Sequence, residues 1–170
     1  MNHFNYNSWN LGLKRTFHNK PYMGYINKCD QKFGLQQETI CLPIINKFFK
    51  FNLLRPEGEF NHFDFFDIDR NTYVELKSRN YFSTSFNDYE IGHWKIHKAI
   101  HHLKNGARVY IVNNFIDKMV YYELTLENIQ KLDYRMGGTK KWGIDEIEKY
   151  YYIPRKDCKV LLSKDLFKYL

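Results

Sequence analysis

The fold is decided by residues 63–77, FDFFDIDRNTYVELK, in which charged side chains interrupt two short apolar runs. The runs from Phe63 to Ile68 and from Thr72 to Leu76 have the composition of β-strands. Residues 69–71, Asp-Arg-Asn, supply turn chemistry between them. The stretch is therefore predicted to be a β-hairpin.

The second strand of this hairpin carries a charged pair. Because successive strand residues point to opposite faces, Glu75 and Lys77 share one face while Val74 and Leu76 share the other. Predicted helices before and after the hairpin would cover both faces, and a buried charge is costly without a partner. Mg²⁺ is a suitable partner, because it binds one or two carboxylates and keeps water and phosphate oxygens as further ligands. The alternative is a solvated surface pair.

The hairpin register decides which aspartate joins Glu75. A two-residue turn places Asp64 opposite Lys77 and on the face of Glu75, with Asp67 pointing away. A three-residue loop brings Asp67 to that face instead, because a slip of one residue exchanges the faces. We favour Asp64, which lies at the same end of the hairpin as Glu75, and the sequence leaves Asp67 open.

These residues resemble the signature of the PD-(D/E)xK nuclease superfamily, an acidic residue on one strand followed by Glu-x-Lys on the next. Here the signature reads Asp64 with Glu75-Leu76-Lys77. The resemblance implies a restriction-endonuclease-like α/β core, ordered helix, three strands, helix, strand, over about residues 35–115. It also implies that Asp64, Glu75 and the Leu76 carbonyl bind Mg²⁺, with Mn²⁺ as the alternative, and that Lys77 serves the attacking water.

Apolar residues at helical spacing predict the first helix, from Leu35 to Phe49. Pro43 lies inside this pattern, and an interior proline costs about 3 kcal/mol, so the helix is expected either to be kinked or to begin near residue 40. Some members of the superfamily carry a further catalytic Glu on this helix. The resemblance makes Glu38 the candidate for that position.

The remaining elements complete an α/β fold with a mixed central sheet flanked by helices. A helix with apolar and basic faces is predicted over residues 88–104, closed by Asn105-Gly106. Strands are predicted at residues 51–54, 107–115, 119–124 and 150–153, and a short helix near Ser163. No linker divides the chain, so we expect one domain with an N-terminal arm, residues 1–33, and a C-terminal extension, residues 126–170.

The net charge of the chain indicates what kind of molecule it binds. The 170 residues are 44% hydrophobic, enough for a real core, and the formal net charge is +7 with a pI of about 9.2. Such a charge favours a polyanion, and together with the resemblance it predicts DNA as the partner. No apolar run is long enough for a membrane span and no signal segment is seen, so we expect a soluble protein of the cytoplasm or nucleus that is not secreted.

Six residues are predicted to contact DNA. Two lie on the basic helix and four in a Gly- and Lys-containing loop, namely Lys95 and Lys98, then Arg135, Lys140, Lys141 and Trp142. The alternative for the loop is a solvated segment without a partner. His93, His97 and His101 share a helical face, but no Cys or Glu is spaced to complete a zinc site, so phosphate contact or plain exposure is preferred.

The sequence thus predicts a Mg²⁺-dependent endonuclease that hydrolyses DNA phosphodiester bonds. The alternative is a noncatalytic nucleic-acid-binding module on the same fold. Cutting both strands of a duplex is often done by a homodimer or a higher homo-oligomer, and the sequence leaves the oligomeric state open.

Overall fold

The computed structural model of the protein describes residues 28–57, 62–137, 140–141, 144–145 and 148–164. The chain divides into two compact units, Met1–Gln36 and Gln37–Leu170. The described residues of the first unit are helical, and the sheets, the cores and the candidate site lie in the second. No helix in the described ranges combines the length and the apolar character that crossing a membrane would require.

The described chain contains three helices, ten strands and a 3₁₀ turn before the last strand. In chain order they are α1 (Lys28–Phe49), β1 (Phe65–Asp67), β2 (Thr72–Ser78), β3 (Asp88–Gly92), α2 (His93–Lys104), β4 (Arg108–Asn114), β5 (Lys118–Leu124), α3 (Leu126–Ile129), β6 (Asp133–Gly137), β7 (Lys140–Lys141), β8 (Ile144–Asp145), β9 (Glu148–Pro154), a 3₁₀ turn (Arg155–Asp157) and β10 (Lys159–Ser163).

Five strands form the central sheet in the order β1-β2-β4-β5-β10. β2 and β4 run parallel, because α2 provides the long crossover connection that parallel strands need. The other neighbouring strands are antiparallel. The predicted α/β class with a mixed central sheet is confirmed.

A second sheet has the order β3-β9-β6 and is antiparallel throughout. Its middle strand, β9, comes from the C-terminal part of the chain, as does β10 at the edge of the central sheet. Residues beyond 126 therefore contribute strands to both sheets. β7 and β8 form a separate two-stranded ladder.

Each face of the central sheet is covered by a helix. On one face, Val74 and Leu76 of β2 belong to the same buried cluster as Ile45 of α1. On the other, Ile111 of β4 belongs to the same cluster as Ile96 of α2. We call the first the α1 face, with residues 74 and 76 of β2, and the second the α2 face, with residues 73, 75 and 77.

Helix α1 continues through Pro43, so the expectation that it begins near residue 40 is wrong. An interior proline costs about 3 kcal/mol through a lost hydrogen bond and a steric clash. Cys41 and Ile45, on either side of the proline, are buried in the core of the α1 face, and this packing offsets the cost. Glu38 therefore lies within the helix.

The helix predicted from residue 88 begins only at His93. Residues 88–92 are strand β3, because their backbone pairs with β9, about 60 residues further along the chain. The predicted closure by Asn105-Gly106 is confirmed. Gly106 has a φ of 78°, the left-handed conformation that glycine adopts at helix ends.

Two further expectations are wrong. Residues 51–54 are not a strand, since Leu54 makes only an isolated bridge to Phe66. Arg135 lies in β6 and not in a loop, because β6 pairs along its whole length with β9. Ser163 ends β10, whose backbone pairs with β5. The next residue, Lys164, has 3₁₀ geometry, and the rest of the short helix predicted near Ser163 lies outside the described residues.

The hairpin loop has four residues, Ile68–Asn71, because Asp67 pairs with Thr72. Neither of the two loop lengths considered from the sequence is therefore correct. The observed register differs from the two-residue-turn register by two positions, and an even slip leaves every side chain on its face. Asp64 consequently stays on the side of Glu75, and Asp67 lies on the α1 face.

Candidate active site

Asp64 immediately precedes β1, and its side chain binds the backbone of β2. Its Oδ2 accepts a hydrogen bond from the backbone N–H of Leu76 at 2.7 Å. In the observed register this N–H points toward the β1 edge, just beyond the last pair of the ladder. The Asp64 carboxylate is thus fixed against the middle of the Glu75-Leu76-Lys77 triplet.

Glu75 is the centre of the site and is only 1% exposed. Lys77 Nζ lies 2.7 Å from Oε1, and Lys95 Nζ lies 2.5 Å from Oε2. Each carboxylate oxygen therefore has its own ammonium partner. A buried carboxylate without such partners would carry a desolvation cost of roughly several kcal/mol.

Lys95 is held in place by more than Glu75. From the first turn of α2, its Nζ also donates to the backbone carbonyl of His62 at 3.0 Å. The ammonium lies 5.7 Å from the centroid of the Phe63 ring. These contacts tie α2 and the segment before β1 to Glu75. The structure places Lys95, predicted from sequence as a DNA contact, inside the site.

Burial and neighbouring charges shift the pKa values of Asp64 and Lys77. Burial, followed by the negative charge of Glu75, raises the pKa of Asp64 to about 7, and the Leu76 N–H and the two lysines offset this only in part. Burial alone would lower the pKa of Lys77, but attraction to Glu75 outweighs it and raises the pKa above its usual value. Asp64 is therefore partly protonated near neutral pH, where an ordinary aspartate is ionised.

The donor atoms fit a hard divalent cation. Two carboxylates converge here, and the Leu76 carbonyl points to the same strand edge as the Leu76 N–H, which Asp64 occupies. Within the described ranges, no group of three or more His, Cys, Asp or Glu side chains could hold a metal ion. Mg²⁺ needs only one or two protein carboxylates, because it keeps several waters and phosphate oxygens as its other ligands. A cation would relieve the repulsion that raises the pKa of Asp64.

The other two acidic candidates have different partners. Asp67 is buried, and it accepts hydrogen bonds from the N–H groups of Asn52 at 2.7 Å and Arg70 at 3.1 Å. It therefore closes the hairpin loop from the α1 face. The ion pair described for Glu38 joins it to Arg55 at 2.8 Å.

Two predicted DNA contacts are engaged with neighbouring side chains. Lys98 Nζ lies 4.2 Å from the centroid of the Trp94 ring, a cation–π contact. Arg135 pairs with Asp88 at 2.7 Å, and its guanidinium lies 4.1 Å from the centroid of Tyr152. Arg135 is thus partly neutralised by a carboxylate of the second sheet.

The other predicted contacts lie on or beside β7. Lys140 and Lys141 form this strand, and Trp142 lies outside the described residues. The rings of His93 and His97 are 4.1 Å apart on α2. As described here, neither belongs to a cluster of three or more metal-ligating side chains.

Sequence reasoning missed Asn113. It lies on β4 as the Cα partner of Lys77, is 1% exposed, and has no hydrogen-bond partner for either amide atom within the described part of the chain. An unsatisfied buried polar group costs about 1–3 kcal/mol. The signal was present in the sequence, because Asn113 directly follows the apolar run from Val109 to Val112.

Comparison with known proteins finds similarity at the level of solved structures. No protein-family model matches the chain, and no curated protein matches it either. The chain is similar to the solved structure of Hjc from Archaeoglobus fulgidus, a Holliday junction resolvase from an archaeal hyperthermophile. The TM-score is 0.42 and the identity 14%, over 69% of this chain and 87% of that chain.

Proposed function

We propose that this protein is a Mg²⁺-dependent endodeoxyribonuclease with a PD-(D/E)xK-type site. The observation that carries the proposal is the convergence of Asp64, Glu75 and Lys77 at one end of a parallel strand pair. Asp64 is fixed to the backbone of Leu76 at 2.7 Å, and Lys77 contacts Glu75 at 2.7 Å. Buried charges in a sheet are costly, and such a cluster with a raised carboxyl pKa is typical of catalytic sites.

Each residue has a distinct task in this proposal. Asp64, Glu75 and the Leu76 carbonyl would hold Mg²⁺, with Mn²⁺ as an alternative. When bound, the ion would supply an acidified water and would stabilise charge on the phosphate. The Lys77 ammonium orients the attacking water or offsets the negative charge that develops on the phosphoryl oxygens. Lys95, anchored to His62, keeps Glu75 in place and adds positive potential beside the phosphate.

DNA is proposed as the substrate because of charge. The chain carries a formal net charge of +7, and a phosphate backbone binds by displacing its counterions with lysine and arginine. The two helix lysines predicted to contact DNA, Lys95 and Lys98, lie on α2, and Lys95 is the one that contacts Glu75. An anionic backbone attracted to this helix would therefore meet the site.

The test is cleavage of supercoiled plasmid and of a four-way DNA junction by the full chain, in Mg²⁺ or Mn²⁺ and in EDTA. We expect cleavage with either cation and none with chelator. The matched control is Asp64→Asn, purified in the same way. An amide is isosteric with the protonated acid that the raised pKa already favours, so this variant should fold and bind DNA but not cut it.

The outcomes separate the alternatives. Cleavage that persists in EDTA, or that Asp64→Asn retains, would refute the proposed site. If wild-type protein binds DNA and does not cut it with any cation, the noncatalytic binding module is correct. In that case the paired lysines would simply neutralise Glu75 permanently.

A further inference from the structure

Two adjacent asparagines near the end of β4 have opposite environments. Asn114 has a partner for each amide atom, because its Nδ2 donates to Gln37 Oε1 at 3.0 Å and its Oδ1 accepts from Lys164 Nζ at 2.6 Å. Asn113 is 1% exposed, and neither its Nδ2 nor its Oδ1 has a described partner. Nearly all buried polar side chains are paired, so Asn113 requires an explanation.

The side chain next to Asn113 supplies one. Lys77 on β2 is the Cα partner of Asn113 in parallel register. Paired residues of parallel strands point to the same face, and neighbouring strands are about 4.8 Å apart, well within the length of a lysine side chain. Asn113 Oδ1 is therefore an acceptor within reach of the Lys77 ammonium.

The two lysines at Glu75 differ in how firmly they are held. Lys95 has a second hydrogen bond, to the His62 carbonyl at 3.0 Å. Lys77 has one described polar contact, to Glu75 at 2.7 Å. Any cation that binds Glu75 competes with these ammonium groups, and Lys77 is the one with less to hold it.

We propose that Asn113 is a positioning residue that accepts the Lys77 ammonium when a divalent cation binds Glu75. This inference rests on the proposed function. Oδ1 of Asn113 keeps the displaced ammonium on the α2 face, beside the carboxylates, where it can act on water or phosphate. Asn113 touches neither substrate nor cation and acts only through Lys77. Its unpaired amide is thus explained as an acceptor kept free for a second state of the site.

The first test is calorimetric titration of DNA-free protein with Mg²⁺ or Mn²⁺. The proteins are wild type, Asn113→Leu, Lys77→Ala and the double variant. Asn113→Leu should weaken cation binding by about 10-fold, the effect of one charge-assisted hydrogen bond. In the Lys77→Ala background the same change should have no effect, because the ammonium that Asn113 accepts is gone.

The second test separates positioning from structure. Leucine is close in shape to asparagine and removes the unpaired amide, so Asn113→Leu should melt no lower than wild type. Its kcat should nevertheless fall by on the order of 10²-fold with KM unchanged, because the lysine is misplaced. Asn113→Asp keeps the acceptor and should stay within about 10-fold of the wild-type kcat.

Asn114→Leu is the matched control, one residue away on the opposite face. It strips partners from Gln37 and Lys164, so it should lower the melting temperature while cation affinity and kcat stay unchanged. Wild-type cation affinity and kcat in Asn113→Leu would overturn the inference and leave the nuclease proposal standing. Equal effects of Asn113→Leu with and without Lys77 would also overturn it. A wild-type chain that cuts no DNA overturns both.

Discussion

The two faces of β2 are built from residues of opposite character. On the α1 face, Val74 and Leu76 are buried in a continuous apolar cluster. On the α2 face, Glu75 is as deeply buried but is held by two ammonium groups. Asn113 lies next to Lys77 on that face, and its amide has no hydrogen-bond partner among the described residues. The α1 face of β2 has the apolar packing of an ordinary protein core, whereas the α2 face buries charged and polar side chains.

This difference supports the proposal that the α2 face carries the function. Replacing a buried ion pair by apolar residues of similar volume is often neutral or stabilising, so a purely structural sheet gains little from Glu75 and Lys77. Natural sequences break the rules of local consistency mainly where a site requires it. The raised pKa of Asp64 is a third exception at the same place.

The largest difference between the two faces is expected for Lys77→Ala. We expect cleavage to fall by on the order of 10²–10³-fold, the usual effect of removing a group that stabilises charge in the transition state. DNA affinity should change little. On the opposite face, Val74→Ala should cost about 2 kcal/mol of unfolding free energy through lost burial and leave the kcat of the folded protein intact. Wild-type turnover by Lys77→Ala would remove Lys77 from the mechanism.

A pair of aspartate variants tests the assignment of faces. Asp64→Asn should fold and lose cleavage, whereas Asp67→Asn should cut DNA and lose stability. Asp67 accepts from two backbone N–H groups, and an amide can orient only one oxygen toward them, so a loss of about 1–3 kcal/mol is expected. The measurements are plasmid cleavage and urea unfolding. An active Asp64→Asn beside a dead, folded Asp67→Asn would reverse the assignment.

Much of this face assignment was predictable from sequence, for a simple reason. Alternation fixes which residues of a strand share a face, and the loop length that was misjudged changed by an even number. The placement of Asp64, and not Asp67, on the face of Glu75 therefore holds despite the wrong register, and the role of Asp64 as a metal ligand stays a prediction. Helix α2 and its glycine end were also recognisable, because their signals are local.

Features that depend on distant partners were not predictable. Strand β3 forms because β9 pairs with it, and nothing in residues 88–92 indicates that. Lys95 contacts Glu75, which lies 20 positions earlier in the sequence. Because no local pattern indicates this contact, Lys95 was predicted only as one of the basic residues of the helix. Pro43 argued against a long helix, and only the core packing of Cys41 and Ile45 explains why the helix continues.

The raised pKa of Asp64 predicts how the stability of metal-free protein depends on pH. With the folded pKa about 7 and the ordinary value 3.8, the folded chain retains this proton over the interval in which the unfolded chain releases it. The favourable contribution is thus complete below about pH 4 and lost as pH rises to about 7. The unfolding free energy of Asp64→Asn relative to wild type, measured in EDTA, should therefore increase from about pH 4 to about pH 7 and then level off, by a few kcal/mol at most. Parallel curves for the two proteins would contradict the raised pKa.

The smallest effect is expected outside the central sheet, at strand β7. Replacing Lys140 and Lys141 together by Ala should weaken DNA binding severalfold and reduce the slope of log affinity against log salt by about 2, one for each lost phosphate contact. The metal requirement should not change, because these lysines take no part in holding the cation.

Arg135→Ala is the matched control. Its charge is already countered by Asp88 at 2.7 Å, so it should change the salt slope less than one lysine does. The measurement is equilibrium binding to a DNA duplex at several salt concentrations. An unchanged slope for the double variant would show that β7 does not contact the phosphate backbone, and would leave α2 as the proposed DNA-binding element.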